Sequence, residues 1–132
     1  MQACRVTITT SVDGVEKTIN REGECLLSAL SCELRYHEEN AAVRILLKGE
    51  TAEIERVGDY SLRLHLERGR QTVGMLGIGG SEGEIGVFAH SVAYSLGKDS
   101  LLLSMHYDLL LGGELQKMKL RLIARIKDEV KA

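Results

Sequence analysis

Turn residues punctuate the first two-thirds of this chain at intervals of about 8–12 residues, and the stretches between them alternate apolar with polar side chains. The clearest stretch is Tyr60 to Glu67, where Leu62, Leu64 and Leu66 fall on one face and Arg63, His65 and Glu67 on the other. Gly58-Asp59 and Arg68-Gly69-Arg70 bracket it. Arg5 to Thr10 is β-branched and alternating, Asp13-Gly14 is favoured in two-residue hairpin loops, and a return strand is expected from about Val15 to Cys25. Glu33 to Glu38 alternates, Glu39-Asn40 breaks the pattern, and Val43, Ile45 and Leu47 alternate again before Lys48-Gly49-Glu50. With no long helical pattern between these stretches, the chain reads as an antiparallel meander rather than a series of βαβ units.

Such a meander buries its oily face only by packing on a second sheet or by closing on itself, and closure also removes unpaired edges. The 132 residues are expected to form one domain, 1–132. The fold class expected is all-β, a closed antiparallel meander barrel of about 8–10 strands, its interior filled or holding one small ligand.

Composition removes several function classes. Seventeen basic against nineteen acidic residues give a net charge of −2, which excludes polybasic DNA-coating chains. One Phe, four Tyr and no Trp supply little stacking material, so nucleic acid is not expected as a partner. The start of the sequence carries no apolar stretch of signal-peptide type and no run reaches membrane-spanning length, so a cytoplasmic chain without membrane association is expected. Cys4, Cys25 and Cys32 lack C-x-x-C spacing and are expected as small apolar fillers. No cofactor is expected.

The last third fits two templates. Leu115, Met118, Leu122, Ile126 and Val130 make a helical stripe, while Met118, Leu120, Leu122, Ala124 and Ile126 alternate strictly against Lys117, Lys119, Arg121 and Arg125. Lys, Leu, Met and Arg favour a helix. Gly112-Gly113 is a hairpin dipeptide, and Leu101 to Tyr107 before it reads as a buried strand.

Several landmarks occur in a characteristic order: Asp13-Gly14, Tyr36-His37-Glu38-Glu39, Val43-Arg44-Ile45, Ile54-Glu55-Arg56-Val57-Gly58, Glu67-Arg68-Gly69, Ile85-Gly86-Val87-Phe88, Gly112-Gly113-Glu114 and Leu120-Arg121-Leu122. In this the chain resembles the YwiB-like proteins, small bacterial proteins of unknown function. The resemblance covers nearly the whole chain and implies a calycin-like, lipocalin-like barrel closed by a C-terminal strand. It implies no catalytic residues. The chain departs from the family pattern at Gly77-Ile78-Gly79-Gly80-Ser81-Glu82-Gly83, where relatives commonly carry a proline and an aromatic residue.

Gly79-Gly80-Ser81-Glu82-Gly83 matches G-x-S-x-G in letters, but Glu84 to Phe88 continues as a strand rather than a helix, so a hairpin tip is expected and not a nucleophile elbow. The glycines satisfy neither dinucleotide nor P-loop spacing. His90, His106 and Asp108 share a face only in some registers. A two-residue turn at Gly97-Lys98 pairs Leu96 with Asp99 and separates them; a loop one residue longer sets His90 across from His106. In the first register Phe88, His90, Tyr94 and Tyr107 join Val92, Leu101, Leu103 and Met105 on one apolar face, although Ile85, Val87 and Ala89 have the opposite phase, so a bulge between Ala89 and Val92 is expected. The ligand-binding candidates lining a lumen are therefore Tyr36, Phe88, His90, Tyr94 and Tyr107. No residue is assigned to catalysis or to a metal. The leading expectation is a non-catalytic barrel holding a small apolar or amphipathic ligand. One alternative is a protein- or RNA-interaction module using the outer row Lys117, Lys119, Arg121, Arg125 and Lys127; a small hydrolase-type enzyme is the weaker one. The oligomeric state is not encoded in any motif, and a homodimer is compatible with the sequence.

Overall fold

A computed structural model describes residues 1–127 as ten antiparallel strands: β1 (Gln2–Val12), β2 (Val15–Leu27), β3 (Ser31–Glu38), β4 (Ala41–Lys48), β5 (Thr51–Gly58), β6 (Tyr60–Glu67), β7 (Gln71–Ile78), β8 (Ser81–Leu96), β9 (Ser100–Leu111) and β10 (Glu114–Ile126). Each strand pairs with its neighbours in sequence, and β1 pairs with β10 to close the barrel. The expected strand Tyr60 to Glu67 matches β6. At Asp13-Gly14 and Gly112-Gly113 both turn residues have positive φ, the geometry of the two-residue hairpin turn whose twist suits antiparallel strands. The tip at Asp13 is tied to β10: Lys117 N–H donates to its carboxylate at 2.8 Å, and its own N–H donates to the Lys117 carbonyl at 2.8 Å.

The C-terminal segment is a strand as far as Ile126, paired from Cys4↔Ile126 to Val12↔Met118 on one side and against β9 on the other. The helical alternative is thereby excluded for Leu115 to Ile126, and its last apolar position, Val130, lies outside the described residues. Two ladders offered by β1 and β9 outweigh helix propensities of a few tenths of a kcal/mol per residue.

Alternation carries the apolar faces inward. Ile8, Leu34, Ile45, Leu47, Leu64, Leu66, Leu101, Met105 and Leu122 each keep less than 2 % of their surface exposed. A chamber large enough for water would expose the side chains around it, so the interior is packed where these residues meet. Cys4, Cys25 and Cys32 are buried free thiols in the same core. Burial pushes Cys4 up to about 12 and Cys32 up to about 11, and it raises Cys25 as well.

One end of the barrel is stoppered by charge. Arg56 follows Ala52 and Ile54 on the inward face of β5, and its Nε donates to Glu38 Oε1 at 3.1 Å. Its Nη1 lies 2.8 Å from both Asp59 Oδ1 and the Tyr60 carbonyl, and the guanidinium sits 3.7 Å over the Tyr60 ring. Hydrogen bonding from Arg56 holds the Asp59 carboxyl below its ordinary value.

β2 meets β3 only from Gly23 to Leu27, so Val15 to Glu22 is paired on one side alone. Glu16, Lys17, Arg21 and Glu22 along it discourage pairing with another chain. Gly23 stands where the two strands begin to pair; a Cβ there would lie 2.6 Å from the Arg35 carbonyl oxygen, so only glycine permits the approach.

Two outcomes follow from this packing. The native chain is expected to resist iodoacetamide at about pH 8, because the reactive species is the thiolate, and to alkylate at all three cysteines once unfolded, as read by mass spectrometry. Rapid native alkylation would mean that the core opens there. Arg56→Met is expected to destabilise the barrel by about 1–3 kcal/mol in denaturant titrations, through lost hydrogen bonds to Glu38 and the Tyr60 carbonyl. Because the Asp59 pKa is depressed in the folded state, its stabilising effect is present above the unfolded value and lost as pH falls through the folded one. The difference between the two proteins should therefore narrow below about pH 4.

Candidate functional site

The five residues expected to line a lumen divide between the two faces of the sheet. Tyr36 and Tyr107 are buried in the core, and Tyr94 is half-buried against it. Burial pushes the Tyr107 hydroxyl up to about 12 and raises that of Tyr36. Phe88 and His90 instead project to the outside. The expected two-residue turn at Gly97-Lys98 is not formed: Leu96 pairs with Leu101, not Asp99, and Gly97 N–H donates to the Ser100 carbonyl at 2.9 Å, a slip of two residues that leaves the faces unchanged, so the bulge alone turns Phe88 and His90 outward. The expected bulge is present. Ala89 pairs with Tyr107 and Ser91 with His106, so His90 is the extra residue, and the inward phase passes from Ile85, Val87 and Ala89 to Val92 and Tyr94.

Three depressions in the surface adjoin on the outer face of β1, β10 and β9, and others lie across β2 to β5 and beside the β7–β8 hairpin. One, of about 560 Å³, is lined by Thr7, Thr9, Ala93, Ser95, Leu102, Ser104, Arg121 and Ile123 among others. A second of about 720 Å³ shares Thr7 and Ile123 and continues to Arg125 and Lys127, and a third of about 350 Å³ shares Thr9, Ser104 and Arg121 and continues to Lys119 and His106. Register explains the trough. Thr9, Arg121, Ser104 and Ala93 stand side by side across four strands, as do Thr7, Ile123, Leu102 and Ser95. Short side chains on β1, β8 and β9 leave the taller ones of β10 as its rim. The alternation in β10 made the cation row legible; the apolar pair Ile123 and Leu102 beside it was not, because it depends on the pairing of β9 with β10.

The row itself is outward and exposed at Lys117, Lys119, Arg121, Arg125 and Lys127. Arg121 lies 3.7 Å from Glu16 and Arg5 3.6 Å from Glu22, with Lys127 also against Glu22. All are exposed pairs, worth about 0–1 kcal/mol each, so a partner can displace them at little cost.

At the edge of this face the bulge brings His90 to His106 and Asp108. His90 Nε2 is 2.7 Å from Asp108 Oδ2, the two imidazole centroids are 4.8 Å apart, and the Phe88 ring meets His90 edge-on at 4.9 Å. Ser81 is an exposed first residue of β8, directly after Gly79 and Gly80, whose positive φ values form the hairpin turn. The G-x-S-x-G letters therefore sit in a strand-turn-strand, without the helix that a nucleophile elbow requires. Among the described residues no helix is long and apolar enough to cross a membrane.

No curated protein matches the chain. Among solved structures it is similar to the crystal structure of the ywiB protein from Bacillus subtilis, at a TM-score of 0.81 and 15% sequence identity over 96% of this chain and 93% of that one. That likeness gives the fold, a calycin-like barrel. The family described as "Domain of unknown function (DUF1934)" matches residues 4–122, so the chain belongs to that family, and a YwiB-like barrel is what it is.

Proposed function

We propose that this chain is a non-catalytic binding barrel whose working surface is the outer face of β1, β10 and β9, and that it docks an acidic protein segment with an apolar centre. The observation that carries the reading is the trough beside Arg121, where a row of cations borders Leu102 and Ile123. Successive outward residues on a strand stand about 6.5–7 Å apart, which suits an extended segment bearing acids at alternate positions. Carboxylates would meet Lys119, Arg121 and Arg125, and an apolar side chain would cover Ile123 and Leu102. Charge complementarity sets partner choice and encounter rate, and burial of the apolar pair supplies affinity.

A nucleic acid strand gains less here. It has no use for Ile123 and Leu102, and Tyr94, the aromatic residue that lines the trough, is half-buried against the core. A ligand in the lumen, the other reading suggested by the calycin fold, competes with the packed side chains of the barrel interior. A reducing compartment such as the cytoplasm suits three unpaired thiols.

The test uses fluorescence anisotropy with a labelled glutamate-rich peptide carrying two central leucines, and oligouridine of equal charge as comparator. Peptide binding is expected to weaken with salt, to fall at least about tenfold in Lys119→Glu/Arg121→Glu, and to fall several-fold in Ile123→Ser. Arg63→Glu, on exposed β6, should bind as the parent does. Equal binding by the charge-reversed protein, or no binding at low ionic strength, would overturn the docking reading. Tighter binding of oligouridine would replace it with a nucleic-acid one. A non-covalent mass retained by host-purified protein in native mass spectrometry, and unaffected by the β10 variants, would return the function to the interior.

A further inference from the structure

We infer that His90, His106 and Asp108 form a binding site for a divalent transition-metal ion of the zinc class on the outer face of β8 and β9. His106 and Asp108 are two apart on one strand and so share a face. His90 reaches them only because β8 carries an extra residue. Without the bulge His90 would keep the inward phase set by Val92 and Tyr94, or would stand alone on an unbroken outward row. Bulges of this kind re-aim a side chain, and here the redirected side chain is an imidazole set beside a second imidazole and a carboxylate.

The distances fit a site awaiting small adjustments. One donor atom from each of the three residues lies within 4.8 Å of the others. A tetrahedral ion with bonds of about 2.0–2.2 Å holds its ligand atoms about 3.3–3.5 Å apart, which rotation of partly exposed side chains achieves. His90 Nε2 and Asp108 Oδ2, now 2.7 Å apart in a hydrogen bond, separate slightly; the His90 and His106 rings, 4.8 Å apart between centroids, turn to face the ion. Phe88, edge-on to His90 at 4.9 Å, limits how far that ring can swing away. The Asp108 side chain is only 16% exposed, which holds the carboxylate in place.

Two imidazoles and one carboxylate suit zinc and its neighbours rather than calcium or magnesium, which prefer oxygen donors. Three protein ligands leave a fourth position open to water or an anion. Lys119 stands directly across from His106 and Lys117 from Asp108, so the affinity is held below that of an enclosed site. A surface hydrogen bond between His90 and Asp108 accounts for two members of the cluster and makes no use of His106. The third residue is what separates a metal site from an ion pair.

The site is independent of the docking segment, and its test contains no peptide. Untagged full-length protein is titrated with zinc by calorimetry and with cobalt, whose bound form is read from its visible absorption. One ion per chain is expected. His106→Ala, which leaves the His90–Asp108 pair intact, should weaken binding by at least about 100-fold, more than the loss of a supporting outer group costs. Asp108→Asn should weaken it too, with far-UV circular dichroism unchanged because all three residues lie outside the core. Binding should weaken as the pH is lowered, since imidazole must be neutral to ligate. His65→Ala removes the histidine flanked by Glu53 and Glu67 and serves as the control. Undiminished binding in His106→Ala, loss in His65→Ala, or no stoichiometric uptake overturns the assignment.

Discussion

The pairing of β1 with β10 is the contact on which the rest of this protein depends. Most of the ten strands have an oily face, and in an open sheet β1 and β10 would expose both that face and a row of free backbone groups. Joining Cys4 through Val12 to Met118 through Ile126 turns the sheet into a tube and gives the inward residues a common centre. Alternation along each strand then fills that centre with aliphatic side chains and three thiols. Polar chemistry is left to two places: the stopper around Arg56 and the outer wall.

The outer wall is shaped by local departures from regularity. A sheet of uniform side chains presents a corrugated surface with no preferred site. Here Thr7, Thr9, Ser104, Ala93 and Ser95 are short where β10 carries long residues, and a trough results. One extra residue at His90 gathers ligating groups that an unbroken ladder would have separated. Both features arise from which residues stand opposite one another, and both lie on the same side of the barrel. The family and its structural relative specify the tube; these details belong to this chain's own side chains.

Much of the fold was legible because its signals are local. Tyr60 to Glu67 alternates without interruption and is bracketed by turns, and Asp13-Gly14 has the conformational freedom that its hairpin needs. The β8–β9 connection was less legible. Gly97-Lys98 resembles a two-residue turn, but the strands pair from Leu96 and Leu101, a slip of two residues that changes the partners and leaves the faces as they were. The extra residue at His90 does change the phase, and it is why Phe88 and His90, expected inside, are found outside. The C-terminal segment satisfies helix and strand periodicities equally, and only its neighbours β1 and β9 decide between them. Arg56 stands in one of the ordered landmarks, but its role was not legible: an arginine at the end of a strand ordinarily reaches water, and its part emerges only when Glu38, Asp59 and Tyr60 converge around it.

The seam between the first and last strands also governs how the barrel comes into being. Every other pairing joins elements adjacent along the chain, so hairpins can form early and one by one. The seam joins Cys4 to Ile126 and gains nothing until β10 has been made. On the ribosome β1 therefore waits with one flank bare while eight further strands emerge, a vulnerable interval for a chain whose oily faces are not yet enclosed. The charges along β2 that discourage pairing with another chain in the folded barrel stand on the nascent hairpin throughout that delay.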